Sequence, residues 1–283
     1  MTKSREKEEA TEEHDENARG FYVYCIGEPD PIRRIFADSL PPAIETETGL
    51  EPVVEDKLAA VTSRVPLAIY GEEGLTEHLN DPAWTASRAM RHEQVVEHFA
   101  KSASIVPLRF GTIYLERTGI EQMLAERQTE LHEILERLRE REEWGVNIYW
   151  DKAMLMANIA ALSPRLRDLA EQAANASPGQ SYLMQKKIET MRNDEAREEI
   201  NRVVKEVEEA LRRQSDGGKR LRVLKVEATE HGELKAKFAF LIKRSGFEEF
   251  RATAERLARE NEGAGVRLEL TGPWPAYNFA VEP

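Results

Sequence analysis

One cysteine, Cys25, is the whole thiol complement of 283 residues. An intramolecular disulfide is thereby excluded, and so is a multi-cysteine metal site. No apolar run is long enough to cross a bilayer, in keeping with a mean hydropathy of -0.58. The opening residues 1–19 (MTKSREKEEATEEHDENAR) lack the apolar core of a secretion signal and are expected to form a disordered acidic tail. The cytoplasm is the expected compartment. The chain also lacks GxxxxGK[ST], a GxGxxG opening a helix, and a GxSxG elbow, so nucleotide binding and the common serine chemistry have no support. Basic residues are outnumbered: the net charge is -12, and no local basic patch opposes the repulsion of phosphate backbones.

Charged residues make up 33% of the chain, which marks a water-soluble protein whose length suits two domains. Residues 20–26 (GFYVYCI) and 58–65 (LAAVTSRV) read as strands, joined by a proline-rich, acidic connection. Asp81 and Pro82 suit the N-cap and first position of a helix running to Lys101, with Trp84, Ala89, Val95, Val96 and Phe99 on one face. Residues 105–114 (IVPLRFGTIY) read as a further strand, and 115–141 as one helix striped by Ile120, Met123, Leu124, Leu131, Ile134, Leu135 and Leu138. With VNIYW at 146–150 these make about four strands and crossing helices, a split βαβ, ferredoxin-like arrangement.

A different rhythm follows. Residues 151–211 read as helix, interrupted at Ser163-Pro164 and at Ala176-Ser177-Pro178-Gly179. The last of these helices is long and coiled-coil-like, with a seam through Ile188, Met191, Ile200, Val203, Val204, Val207 and Leu211. Residues 234–242 and 266–271 alternate as strands of a small antiparallel sheet, with an amphipathic helix over 247–260 between them. The expected class is α+β: a tail (1–19), a ferredoxin-like α/β sandwich (20–151) and a helix-rich α+β domain (152–283).

Candidate catalytic groups are few. His92 and His98 in HEQVVEH stand six apart, whereas a zincin places its histidines four apart on one helical face. A solvated helix face is the expectation for both. Cys25 lies in an apolar strand, where a thiol serves as a small hydrophobe. His14, His78, His132 and His231 fall in charged segments and suggest no ligand cluster. No enzyme is indicated.

Aromatics are only 7% of the chain, so their concentration in TGPWPAYNF (271–279) stands out, as do VPLRFGT (106–112) and SPGQSYLMQKK (177–187). A structural account reads them as a buried Arg109, a turn at Gly111, a helix start at Ser177-Pro178, and a C-terminal segment laid over a sheet. A binding account makes Trp274, Tyr277, Phe279, Arg109 and Phe110 candidate partner contacts, with Trp274 and Tyr277 as aromatic anchors.

Together with FYVYCI (21–26) and LAAVTSRVP (58–66), these strings resemble the gas vesicle GvpL/GvpF family, in the right order over about residues 20–279. Cys25 stands where that family often has glycine, and Ala276 replaces a frequent second proline. The resemblance implies a modified ferredoxin-like domain followed by a helix-rich α+β domain. It implies an accessory or minor structural protein of gas vesicles, with no enzymatic role, cofactor or small-molecule substrate. Its implied partners are the apolar shell protein GvpA and other accessory proteins, with no nucleic acid or membrane. Two alternatives remain: a coiled-coil adaptor using the seams through Leu135 and Val204, and a ferredoxin-like ligand sensor.

Overall fold

A computed structural model describes residues 18–223, 228–229 and 232–280. Residues 1–17 of the expected acidic tail lie outside that set, as does His231; Arg19 already belongs to a strand. The described chain is mixed α and β with antiparallel sheets, and it divides into compact units Met1–Arg137 and Leu138–Pro283.

The first unit contains β1 (Arg19–Gly27), α1 (Pro29–Phe36), β2 (Leu50–Glu55), β3 (Leu58–Pro66), α2 (Leu67–Tyr70) and α3 (Glu72–His78). There follow α4 (Pro82–Ser102), β4 (Ile105–Pro107), β5 (Ile113–Tyr114), α5 (Arg117–Glu126) and α6 (Gln128–Leu138). The sheet runs β2-β3-β1-β4, with β5 also on β1, and every pairing is antiparallel. Central β1 is buried from Gly20 to Gly27, which is why its sequence is apolar without alternation.

Three expectations change here. The connection between the first two expected strands holds α1 and β2. Proline at the N-terminus of α1 costs no hydrogen bond, and Pro52 is tolerated because β2 is an edge strand. The single strand expected over 105–114 is two short strands around a loop. The single helix expected over 115–141 breaks at Arg127, where polar Arg127 and Gln128 leave no apolar anchor between buried Leu124 and Leu131. Asp81 does cap α4, accepting from the Ala83 N–H at 2.9 Å.

The second unit contains β6 (Arg141–Trp150), α7 (Lys152–Leu162), α8 (Pro164–Ala174), α9 (Pro178–Arg212), β7 (Gly217–Leu221), β8 (Ala228–Thr229), β9 (Gly232–Lys243), α10 (Phe247–Asn261) and β10 (Val266–Trp274). Its sheet runs β10-β6-β9-β7, with β8 also on β9. The strand expected to complete the first sheet, VNIYW, is therefore part of β6 and pairs with β9 and β10 instead. One face of this sheet, with Val146, Ile148, Phe238 and Phe240, shares a core with Ile200, Val203, Val204 and Val207 of α9 and Phe250 of α10. The α9 seam is thus used within its own unit. Leu135, on the other expected seam, is also buried, 1% exposed.

Caps mark the helix starts: Asp151 accepts from the Met154 N–H at 2.9 Å and Ser163 from the Leu166 N–H at 3.2 Å. Ser163 Oγ also donates to Glu195 of α9 at 2.7 Å, and Arg165 reaches the same carboxylate at 3.3 Å. Glu195 is 8% exposed, so its removal leaves a buried hydroxyl and an exposed guanidinium without their acceptor. Glu195→Ala is expected to lower stability by about 2 kcal/mol in urea unfolding, and Glu195→Gln by less than half of that.

Candidate functional site

The terminal string TGPWPAYNF falls on the sheet of the second unit. Thr271 to Trp274 continue β10; after an irregularity Trp274 pairs with Glu143 of β6. The chain is then pinned by Asn278, whose backbone N–H donates to Glu143 at 3.0 Å and whose side-chain amide donates at 2.5 Å. Glu143 is 5% exposed, and burial holds its carboxyl above the usual range while the Asn278 donors and Lys219 pull the other way. Phe279, 6% exposed, lies over Gly217 of β7, where an added Cβ would come within 3.0 Å of the ring. The Lys219 ammonium stands 5.7 Å from the centroid of that ring.

The three expected aromatics therefore part company. Phe279 is buried, Tyr277 is half-buried, and Trp274 is 45% exposed with its indole N–H donating to Thr271 Oγ1 at 3.2 Å. Glu143 and Asn278, the polar anchor of the segment, were not singled out by the sequence. Glu143 sits in REEW, one acidic residue among 52 Asp and Glu, and nothing local marks it as buried.

In the first unit the string VPLRFGT forms β4 and the loop that follows. The turn at Gly111 is present, with φ +83°, a left-handed conformation that glycine adopts without penalty. Arg109 is exposed, not buried as expected, because the loop turns its side chain outward; Phe110 is half-buried. The Phe110 ring stands edge-on to Tyr22 at 6.2 Å and to His92 at 5.9 Å between centroids.

His92 departs furthest from expectation. It is not on a solvated face: only 3% of it is exposed, and Nδ1 lies 2.8 Å from the Tyr22 hydroxyl. His98 is half-buried, with Nε2 shielded from solvent. The i, i+3, i+4, i+7 spacing of His92, Val95, Val96 and Phe99 turns that side of α4 inward and carries His92 with it. Burial lowers the His92 pKa to about 4, against a smaller upward pull from a backbone hydrogen bond with Leu108. Tyr24 is pushed up to about 12 by burial, and Cys25 is raised above its ordinary range for the same reason. A thiol so held carries little thiolate, as a buried hydrophobe should.

His132 does gather neighbours. Ligand atoms of Glu28, His132 and Glu136 lie within 4.8 Å of one another. The His132–Glu136 contact is one turn apart on α6 at 4.0 Å, and such solvent-facing pairs are common on charged helices.

The string SPGQSYLMQKK opens α9 as expected. The Ser177 N–H donates to Gln180 Oε1 at 3.4 Å, and Pro178 takes the first helical position. Tyr182 and Leu183 are 61% and 68% exposed, beside an open cleft of about 430 Å³ lined by Tyr182, Ile188 and Arg192.

Comparison with known proteins gives one consistent result. The model of the family "Gas vesicle synthesis protein GvpL/GvpF" matches residues 20–281. Gas vesicle protein L of a Streptomyces species is 27% identical over 264 residues, covering 92% of each chain. Gas vesicle protein L1 of Halobacterium salinarum is 24% identical over 99% of this chain and 97% of its own. The crystal structure of the gas vesicle protein GvpF from Anabaena sp. shares the fold, with a TM-score of 0.64 at 19% identity over 94% of this chain and 97% of that one.

Proposed function

The chain belongs to the gas vesicle synthesis protein GvpL/GvpF family, and on that premise we propose that it acts in the cytoplasm as an accessory or minor structural component of gas vesicles. It binds the apolar shell protein GvpA and other vesicle proteins, keeps the shell protein from aggregating, and assists nucleation and assembly. The two compact units serve as its two domains, the first a modified ferredoxin-like domain and the second the helix-rich α+β domain. Family membership carries the gas vesicle role; the exposed Trp274 carries the binding site.

A large ring that stays 45% exposed on a segment pinned by Asn278 and Phe279 needs little ordering when it meets an apolar partner. Trp274 is therefore the principal anchor, with half-buried Tyr277 beside it. Phe279 contributes by fixing the segment. Arg109 and Phe110 form a second contact on the other unit. The adaptor reading loses its support, because a seam buried in its own unit is not available for self-association.

The test is co-expression of GvpA with the full chain, with Trp274→Ala, and alone, followed by sedimentation and affinity capture. Soluble GvpA that co-purifies with the full chain and several-fold less with Trp274→Ala is the expected outcome. GvpA that pellets in every case would rule out direct shell binding.

A further inference from the structure

The loop 108–112 is held from beneath by two buried polar residues. β4 pairs with Cys25 to Gly27 and β5 with Phe21 and Tyr22, both on the same edge of β1. Between them the Leu108 N–H donates to the Tyr24 carbonyl at 2.9 Å, and the Val23 N–H to the Thr112 carbonyl at 3.0 Å. Five residues thus span the space opposite two, and residues 109–111 are extruded from the sheet. A side-chain chain of hydrogen bonds secures them. The Gly111 N–H donates to the Tyr22 hydroxyl at 3.0 Å, and that hydroxyl lies 2.8 Å from His92 Nδ1.

The protonation of this chain follows from its partners. The Leu108 N–H is already given to Tyr24, so the backbone bond between His92 and Leu108 must run from a ring N–H to the Leu108 carbonyl. With Nε2 as that donor, Nδ1 accepts from the Tyr22 O–H, and the Tyr22 oxygen accepts from Gly111. The Leu108 N–H and the Thr112 carbonyl are met by the backbone of β1, whereas the Gly111 N–H and the Leu108 carbonyl are met by side chains that are themselves 3% exposed or less. A continuous strand would satisfy the same backbone without burying an imidazole and a phenol. The two rings pack with Tyr24 and Tyr70 in the core, and their polar ends fix the outward tip of the loop.

We infer that Tyr22 and His92 are positioning residues that preform loop 108–112 as a recognition loop, with exposed Arg109 and the rim of Phe110 offered to the shell protein GvpA. The inference rests on the reading of that loop as a partner contact. An ordered tip meets its partner without the entropy cost of fixing three residues on contact.

The test uses the full chain and two readouts, amide exchange at Gly111 and capture of co-expressed GvpA. Tyr22→Phe keeps the ring and deletes the hydroxyl; Gly111 exchange is expected to rise about tenfold, the loss of one hydrogen bond, and GvpA capture to fall with it. His92→Leu should behave likewise. His92→Gln, which retains one acceptor and one donor, should restore most of both signals. Unchanged Gly111 exchange in Tyr22→Phe and His92→Leu would overturn the positioning role. So would faster exchange with undiminished capture, provided that Arg109→Ala with Phe110→Ala lowers capture. If that tip double variant binds like the parent, the contact reading itself fails and the inference with it.

Discussion

Phe279→Ala is expected to cost about 3 kcal/mol in urea unfolding, and Trp274→Ala less than about 1 kcal/mol. The two rings lie five residues apart in one string but do opposite work. Phe279 is 6% exposed and closes over the bare backbone of Gly217, so its deletion opens a cavity that no neighbouring Cβ can fill. It also loosens the segment that presents Asn278 to Glu143, and a buried carboxylate without its donors carries a further penalty. Trp274 is nearly half exposed and loses chiefly one indole hydrogen bond to Thr271. Its replacement should appear in partner capture and leave the unfolding curve almost unmoved. Equal destabilisation by the two substitutions would mean that Trp274 packs as a core residue, and the anchor role would be withdrawn.

Phe279 and Trp274 also show where sequence reasoning stops. The string announces itself by composition, but which ring faces inward depends on Gly217 and Glu143, far away in the chain. The same limit accounts for β6. VNIYW reads as a strand from its residues alone, yet its partners β9 and β10 come much later, and nothing local says which sheet will recruit it. Elements with a strong local signature were legible: the Asp81 cap, the breaks at Ser163-Pro164 and before α9, the alternation along β9 and β10. Those with mixed signals were not. In β2 a proline and two glutamates hide an edge strand, and in α1 only Ile32 and Ile35 are fully buried. The site followed the same rule. Gly111 and the exposed Trp274 were marked by residue type, whereas buried His92 was disguised by the charged residues beside it.

His92 supplies the second large expected effect. Its pKa is about 4 in the folded chain, against about 6.5 when exposed, because burial penalises the imidazolium more than the Leu108 bond favours it. A base whose pKa is lowered on folding binds its proton more readily in the unfolded chain. Stability therefore falls as pH drops from about 6.5 towards 4, and is unaffected by this group above that window. By pH 4 the loss amounts to ~3 kcal/mol. Other carboxylates titrate near the lower end, so the quantity to measure is the difference between the parent and His92→Gln. Amide exchange of β1 in the full chain, followed from pH 7 to 4, should show the parent losing protection that the glutamine variant keeps. The strands around Glu143 provide the internal contrast. A carboxyl raised by burial contributes stability at low pH that is lost as pH rises through its folded value, so acid should not loosen β6 through that group. If β1 in the parent and in His92→Gln loses protection in parallel, His92 is not held neutral by burial. The hydrogen-bond chain from Gly111 through Tyr22 to His92 would then have to be redrawn with a charged imidazole at its end.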